Sequence, residues 1–427
     1  MRKSLFGILL IISLLNSCLN EPEMTVGVAN LKEEPTVASV SDNIPEDGRL
    51  VFYGNLKEEG KGGISMIGFC WSLSTTEPTF NDSVISVNPV QGLFTGGLTQ
   101  ALGDTVYYWR AFATNRYGIS YGDVHALATP SIWQEKDEFR SYLRLRFASF
   151  AINNNFYIVC GDNYTTTFSD TWEYDISLNK WWGTAPNYPG EARRYPATFV
   201  IGDSAYVGTG QSSSATAYND FYIFDGKIKI WNTSPITAPF DVRFQAMAFS
   251  LDNKGYVLGG QFLGRSMDDV WQYSYASGTG QWTQMNDFPV NIYGGICVSD
   301  GKRAFAGFGD NADARATLWE YNAASDAWTE FASLPEGMAS KFFSAALLTR
   351  SYDQTEYLYA VDGDNMVWEL DLQTRRWSEK RMLPEVFLFD DGTAGNQTML
   401  VAPNGSAVYV GLGFKPYFYA YHPFWDN

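Results

Sequence analysis

The sequence predicts an all-β protein, a small antiparallel sandwich followed by a closed ring of six four-stranded sheets. Three observations carry this. Trp133, Trp181, Trp231, Trp282, Trp328 and Trp377 recur at spacings of 48, 50, 51, 46 and 49 residues. Ahead of the last five stands a second aromatic mark, Thr171-Trp172-Glu173-Tyr174-Asp175, with counterparts at 221–225, 270–273, 318–322 and 367–371. A sixth mark, Tyr419-Ala420-Tyr421-His422-Pro423, has no tryptophan strand after it, whereas Trp133 has no mark before it, so the two ends complete one unit. The composition agrees: 14 Trp, 26 Tyr and 29 Phe beside 39 Gly make a chain of aromatic strands and turns.

The N-terminus stands outside this fold. Arg2-Lys3, an apolar run from Leu5 to Leu15, and Leu15-Asn16-Ser17-Cys18 read as a secretory signal over residues 1–18. The run is too short for a permanent membrane span. The Cys18 segment resembles the lipobox of bacterial lipoproteins, which implies lipidation of Cys18 and an outer-membrane, cell-surface location in a Gram-negative bacterium. Residues 19–36, acidic and carrying Pro22 and Pro35, read as a flexible tether. The formal charge is −17 with no basic cluster, which excludes nucleic acid as a partner and leaves the lipid as the only membrane contact. Cys70, Cys160 and Cys297 form no disulfide framework or metal spacing and are expected as buried small hydrophobes.

Residues 37–130 hold short strand candidates at 49–53, 64–72, 107–114 and 124–129, the pattern of a small sandwich. Gly68-Phe69-Cys70-Trp71-Ser72, Glu77-Pro78-Thr79, and Tyr107-Tyr108-Trp109-Arg110-Ala111-Phe112-Ala113-Thr114-Asn115 resemble the immunoglobulin/fibronectin type III-like modules of surface lipoproteins. The resemblance implies a spacer, and His125 in its last strand is expected to be structural.

Residues 131–427 parse into repeats of four strands. The second strand ends on a small-residue pair, as in Cys160-Gly161, Thr209-Gly210, Gly259-Gly260, Phe308-Gly309, Asp362-Gly363 and Leu412-Gly413; the third carries the aromatic-acid mark and the fourth the tryptophan. One such sheet exposes two faces, and six around an axis bury both. These marks resemble the kelch repeat, which implies a six-bladed kelch-type β-propeller. In that family the ring closes by mixing strands from both chain ends, here residues 131–134 against the last three strands.

Kelch loops that open the first strand and follow the second usually line one mouth of the channel. Carried onto this chain, the first set is Arg146, Arg194, Arg243, Tyr293, Lys341 and Asp391, and the second is Asp162, Gln211, Gln261, Asp310, Asp364 and Phe414. Longer loops add Asn163, Tyr164, Phe262, Arg265, Asp313 and Arg315. Arginines at equivalent positions on consecutive blades point to an acidic ligand, and carboxamides with aromatic faces point to a polyhydroxylated one.

With only two histidines, His125 and His422, the chain lacks the ligands of copper and zinc sites and the base of a serine triad, so no metal or cofactor is expected. The primary expectation is a non-catalytic surface lipoprotein that binds a glycan. Two alternatives stand beside it. One is a sugar mutarotase resembling N-acetylneuraminate epimerase, with Glu191, Glu336 and Glu385 as acid–base groups. The other is a protein-binding subunit of a surface complex.

Overall fold

The computed structural model describes residues 32–184, 186–276, 278–334, 342–384, 398–401, 405, 407–412 and 415–426. Cys18, Glu336, Lys341, Glu385, Asp391 and Phe414 lie outside the described residues. The chain divides into two compact units, one of residues up to 42 with 52–97 and 107–127, the other of 43–51, 98–106 and 128–427.

The strands of the N-terminal region form two sheets. One orders Thr36–Asn43, Leu50–Glu58 and Gly92–Leu98; the other orders Ser83–Val87, Met66–Ser72, Val106–Asn115 and Gly118–Tyr121, with His125–Ala128 also on Val106–Asn115. Alternation of burial along Leu50–Glu58 turns Phe52 inward, where its ring stacks 4.6 Å from that of Trp109. Phe69 and Phe94 meet beside them at 5.1 Å. Gly54 leaves the room for Phe94, since a Cβ there would lie 2.3 Å from that ring. His125 packs its ring 4.6 Å from Trp109 and sets Nδ1 3.5 Å from Asp42, a structural post. The sequence pattern missed the strands at 36–43, 83–87, 92–98 and 118–121, all four of which end a sheet order, where half-exposed faces carry little hydrophobic signal.

The second unit contains six antiparallel blades. The first is Ala148–Ile152, Asn155–Val159, Thr171–Asp175 and Lys180–Thr184; the second is Ala197–Ile201, Ser204–Gly208, Asp220–Asp225 and Ile230–Trp231, with Ile236–Thr237 continuing the outer edge. The third is Met247–Leu251, Lys254–Leu258, Val270–Ala276 and Thr279–Met285, and the fourth Ile296–Ser299, Ala304–Gly307, Thr317–Asn322 and Ala327–Ser333. Phe342–Thr349, Glu356–Asp362, Met366–Asp371 and Arg376–Met382 make the fifth. The sixth joins Thr398–Val401, Val408–Gly411 and Phe418–Tyr421 to Trp133–Glu135, so the outer strand comes from the start of the ring and Trp133 faces Tyr421 in register. The innermost strands adjoin in cyclic order, and the innermost strand of the sixth blade meets that of the first. The ring is therefore closed.

The tryptophans are core, as their spacing predicts. Trp181 is buried against Phe139, Tyr174 and Phe418, the last contributed by the sixth blade. In the first four blades an aromatic from the loop entering the blade completes a three-ring cluster: Phe139 on Trp172 and Trp181, Tyr188 on Tyr222 and Trp231, Phe240 on Trp271 and Trp282, Phe288 on Trp319 and Trp328. Not every indole N–H is satisfied; those of Trp133, Trp181, Trp282 and Trp328 are buried without a partner, whereas Trp231 donates to Thr171 at 3.1 Å. Cys160 is buried in the first interblade core; Cys70 is buried and Cys297 half-buried, all three as free thiols.

In the first three blades the glycine after the second strand acts as a staple. Gly161, Gly210 and Gly260, at φ of 90°, 90° and 99°, donate their N–H to the carbonyls of Arg193, Arg243 and Ile292 in the following blade. The residue before each needs only φ of 56–64°, which Cys160 and Thr209 reach as Gly259 does. In these three blades the first position of the pair is therefore replaceable and the second calls for glycine.

Candidate functional site

Two rows of residues face each other at the entrance to the first four blades. Leu145, Arg194 and Phe244 form backbone bridges with Asp162, Gln211 and Gln261, and Tyr293 accepts the N–H of Asp310 at 2.9 Å. The next residue in each blade, Arg146, Tyr195, Gln245 or Gly294, turns through φ of 55–62° before the inner strand begins. Tyr195 N–H donates to Arg146 O at 2.7 Å and Gly294 N–H to Gln245 O at 3.1 Å, which stitches adjacent blades at this level.

This corrects the alignment expected from the sequence. Arg146, Arg194 and Arg243 are not equivalent but occupy three successive positions of the repeat. Arg243 is 1% exposed and belongs with Arg144 and Arg193. Each of these three grips the carbonyl that ends a second strand (Cys160, Thr209 or Gly259) and the aspartate that opens the third (Asp170, Asp220 or Asp269). Each also stacks on the aromatic of its own loop, Phe139, Tyr188 or Phe240. Burial alone would raise the Asp170 and Asp269 carboxyls, yet the arginine bonds and the indole N–H of Trp172 and Trp271 hold both below the ordinary carboxylate value. These arginines lock the blades, with both Nη atoms of each held by an aspartate of the same blade.

Arg146 and Arg194 behave differently. Arg146 Nε lies 2.9 Å from Asp162 Oδ1 and Arg194 Nη1 lies 4.0 Å from Oδ2, so one carboxylate sits against two guanidiniums. Asp162 is itself buried and also accepts the N–H of Tyr164 at 3.1 Å. Burial pushes its carboxyl above the ordinary value in spite of both arginines. Arg146 lies over the ring of Tyr164, 4.4 Å from its centre, and 5.4 Å from that of Tyr195. Its Nη2 and the Nε of Arg194 are buried without a hydrogen-bond partner.

From here a polar arc runs onward. Arg194 Nη2 donates to Gln211 Oε1 at 2.9 Å. In the third blade Gln261 donates to Gln245 at 2.6 Å, and Gln245 donates to Asp310 of the fourth blade at 3.2 Å. Arg315 is exposed and donates to the Asp310 carbonyl, while Arg265 is exposed on the hairpin Gln261–Phe262/Arg265–Ser266, 3.9 Å from Asp241. Tyr293 contributes backbone here. Tyr164 and Leu263 project from these loops, 66% and 87% exposed. Glu191 is exposed, and its carbonyl takes the Arg193 Nε–H at 2.9 Å.

Tyr195, Phe244 and Gln245 were not foreseen, because the loops align only when counted back from the inner strands. The locking arginines did leave a sequence signal: Arg144, Arg193 and Arg243 each precede an aspartate by 26, 27 and 26 residues. Among the described residues no group of three His, Cys, Asp or Glu could hold a metal ion.

The blades, the glycine staples and the mixed closing sheet define a β-propeller of the kelch type. Residues 146–359 match the family model described as the KLHDC2/KLHL20/DRC7 Kelch-repeats domain, half of the chain, and the protein belongs to the kelch-repeat family. No protein of curated function matches the sequence at a significant level.

Proposed function

We propose that this protein is a cell-surface lipoprotein whose propeller binds a glycan carrying an acidic group, without chemical turnover. The observation that carries the reading is the convergence of Arg146 and Arg194 on Asp162, with buried guanidinium N–H groups lacking partners beside the rings of Tyr164 and Tyr195. Guanidiniums with spare donors take carboxylates, carboxamides pair with hydroxyls, and tyrosine faces stack on sugar rings. Lys341 remains a candidate from the sequence, and Arg265, Asp310 and Arg315 extend the site along the arc. The anchor is read from Arg2-Lys3, the apolar run and Cys18. The strand order of the sandwich supports a fibronectin type III-like spacer. Binding to a glycan array should be lost in Arg146→Ala/Arg194→Ala with the melting transition retained. Undiminished binding by that variant would overturn the reading. Failure of Cys18→Ser to lose palmitate labelling would overturn the anchor.

A second reading, a protein-interaction subunit, draws on the family and on the exposed Tyr142, Tyr164 and Leu263. Co-purification of a defined membrane partner, lost in Leu263→Asp/Tyr164→Ala, tests it. The mutarotase alternative is tested by NMR exchange of sialic acid anomers with purified protein.

A further inference from the structure

We infer that Asp162 is a displaceable counter-ion: an anionic ligand takes its place on Arg146 and Arg194, and Asp162 leaves that contact as the neutral acid. The inference rests on the reading of the mouth as a site for an acidic sugar, and adds that each ligand carboxylate enters together with a proton.

The contrast between two sets of arginines in one ring carries the argument. Arg193 and Arg243 place every guanidinium nitrogen on a carboxylate or a carbonyl, and Arg144, whose Nε alone lacks a partner, places both Nη atoms on Asp170 and one of them also on the Cys160 carbonyl. Arg146 and Arg194 meet their shared carboxylate by proximity alone. Asp162 Oδ1 is buried 2.9 Å from Arg146 Nε, yet neither atom has an aligned hydrogen bond, and Arg146 Nη2 and Arg194 Nε have none at all. The Arg146 side chain is only 10% exposed, so water does not make good the loss. A planar carboxylate offers the paired geometry that these N–H groups lack. Asp162 is tied to its own loop through the Tyr164 N–H and stays nearby when the ligand arrives.

Charge then decides the protonation state. The site without ligand sets two guanidiniums against one carboxylate. A second carboxylate within a few ångströms of Asp162, out of water, repels it, and a proton from solvent removes the repulsion. The charged groups brought against Asp162 are Arg146, from the segment entering the first blade, and Arg194, from the segment entering the second. The phenols of Tyr164 and Tyr195 flank Arg146, Gln211 on Arg194 is neutral, and the Arg144–Asp170 and Arg193–Asp220 pairs are closed on themselves. Burial already favours the neutral acid at Asp162. A site that takes up a proton with its ligand binds more weakly as pH rises, by up to about tenfold per unit.

The test is calorimetric titration of the full chain with sodium D-glucuronate, ionised throughout, between pH 5 and pH 8 in two buffers of different ionisation enthalpy. The expected result is a buffer-dependent heat that reports proton uptake, with affinity at least about tenfold higher at pH 5 than at pH 8. Asp162→Asn is expected to bind with one affinity across that range. Should that variant not fold, the buffer-dependent heat of the wild type decides alone. Binding with no buffer-dependent heat and no change in affinity overturns the counter-ion role and leaves the acidic-sugar reading standing. Absence of glucuronate binding at every pH, in both proteins, overturns both.

Discussion

Arg243 holds Asp269 through two hydrogen bonds, of 2.6 and 2.9 Å, while the same guanidinium binds the carbonyl of Gly259. Next to it in sequence stands Phe244, the counterpart of Arg194, so adjacent positions divide between wall and mouth. Removing one partner of such a buried pair costs about 3–5 kcal/mol, because the other charge stays behind unpaired. Arg243→Ala should therefore lower the denaturant midpoint steeply. Arg194→Ala, which gives up a neutral carboxamide and a 4.0 Å contact, should cost about 1 kcal/mol or less. Equal losses in the two variants would contradict the division.

Acid stability should follow the locking aspartates. Asp170 and Asp269 have folded-state pKa values below the ordinary value of 3.8, so their contribution is complete above that pH and is lost as pH falls through the lowered values. Melting temperature should drop sharply below pH 4, and the Asp170→Asn/Asp269→Asn variant, weaker at neutral pH, should show a shallower acid slope. Parallel profiles would argue against this role.

Asp162 has the opposite sign. Its folded-state pKa is raised, so its ionisation weakens the fold as pH climbs from 3.8 through the higher folded value. Asp162→Asn should be at least as stable as the wild type at pH 7, an advantage that vanishes below about pH 3.8. A lower melting temperature at neutral pH would show that the carboxylate is a net stabiliser.

Gly210 is held at φ 90°, with space for a Cβ only 2.8 Å from the Arg194 carbonyl. Gly210→Ala should cost about 1–3 kcal/mol from backbone strain and a disturbed staple. Thr209→Ser, at φ 56° and keeping the hydroxyl that accepts the Ala197 N–H, should change stability by about 1 kcal/mol or less. Chemical denaturation of the two variants distinguishes these positions.

Closure by Trp133–Glu135 on Phe418–Tyr421 makes both ends of the ring necessary. A chain ending before Phe418 should lose its cooperative transition rather than shift it, as an open edge and the interblade core around Phe156 and Trp181 would be exposed. Calorimetry of that truncated chain gives the answer. A retained sharp transition would mean that five blades fold without the sixth.

Cys160 offers a local probe of the same core. Burial pushes its thiol up to about 12, and it lies among Phe150, Tyr188 and Phe224. Alkylation at pH 8 should be absent in the native protein and appear only with unfolding. Rapid native labelling would show that the first interblade core opens readily.

The tryptophan spacing, the aromatic-acid marks and the incomplete terminal units determined the ring, its blade number and its closure, because these depend on repeated burial that leaves a period in the chain. Arg146, Asp162, Arg194 and Gln211 were also visible as loop residues. Their roles were not. Whether an arginine braces the wall or faces the mouth turns on a one-residue shift, the difference between Arg243 and Arg194, which loops of unequal length hide. Tyr195 and Gln245 were missed for the same reason. Only the fold brings Arg146 of the first blade and Arg194 of the second onto Asp162, since that meeting depends on the left-handed turns and interblade bonds at the entrance, which have no period in the sequence.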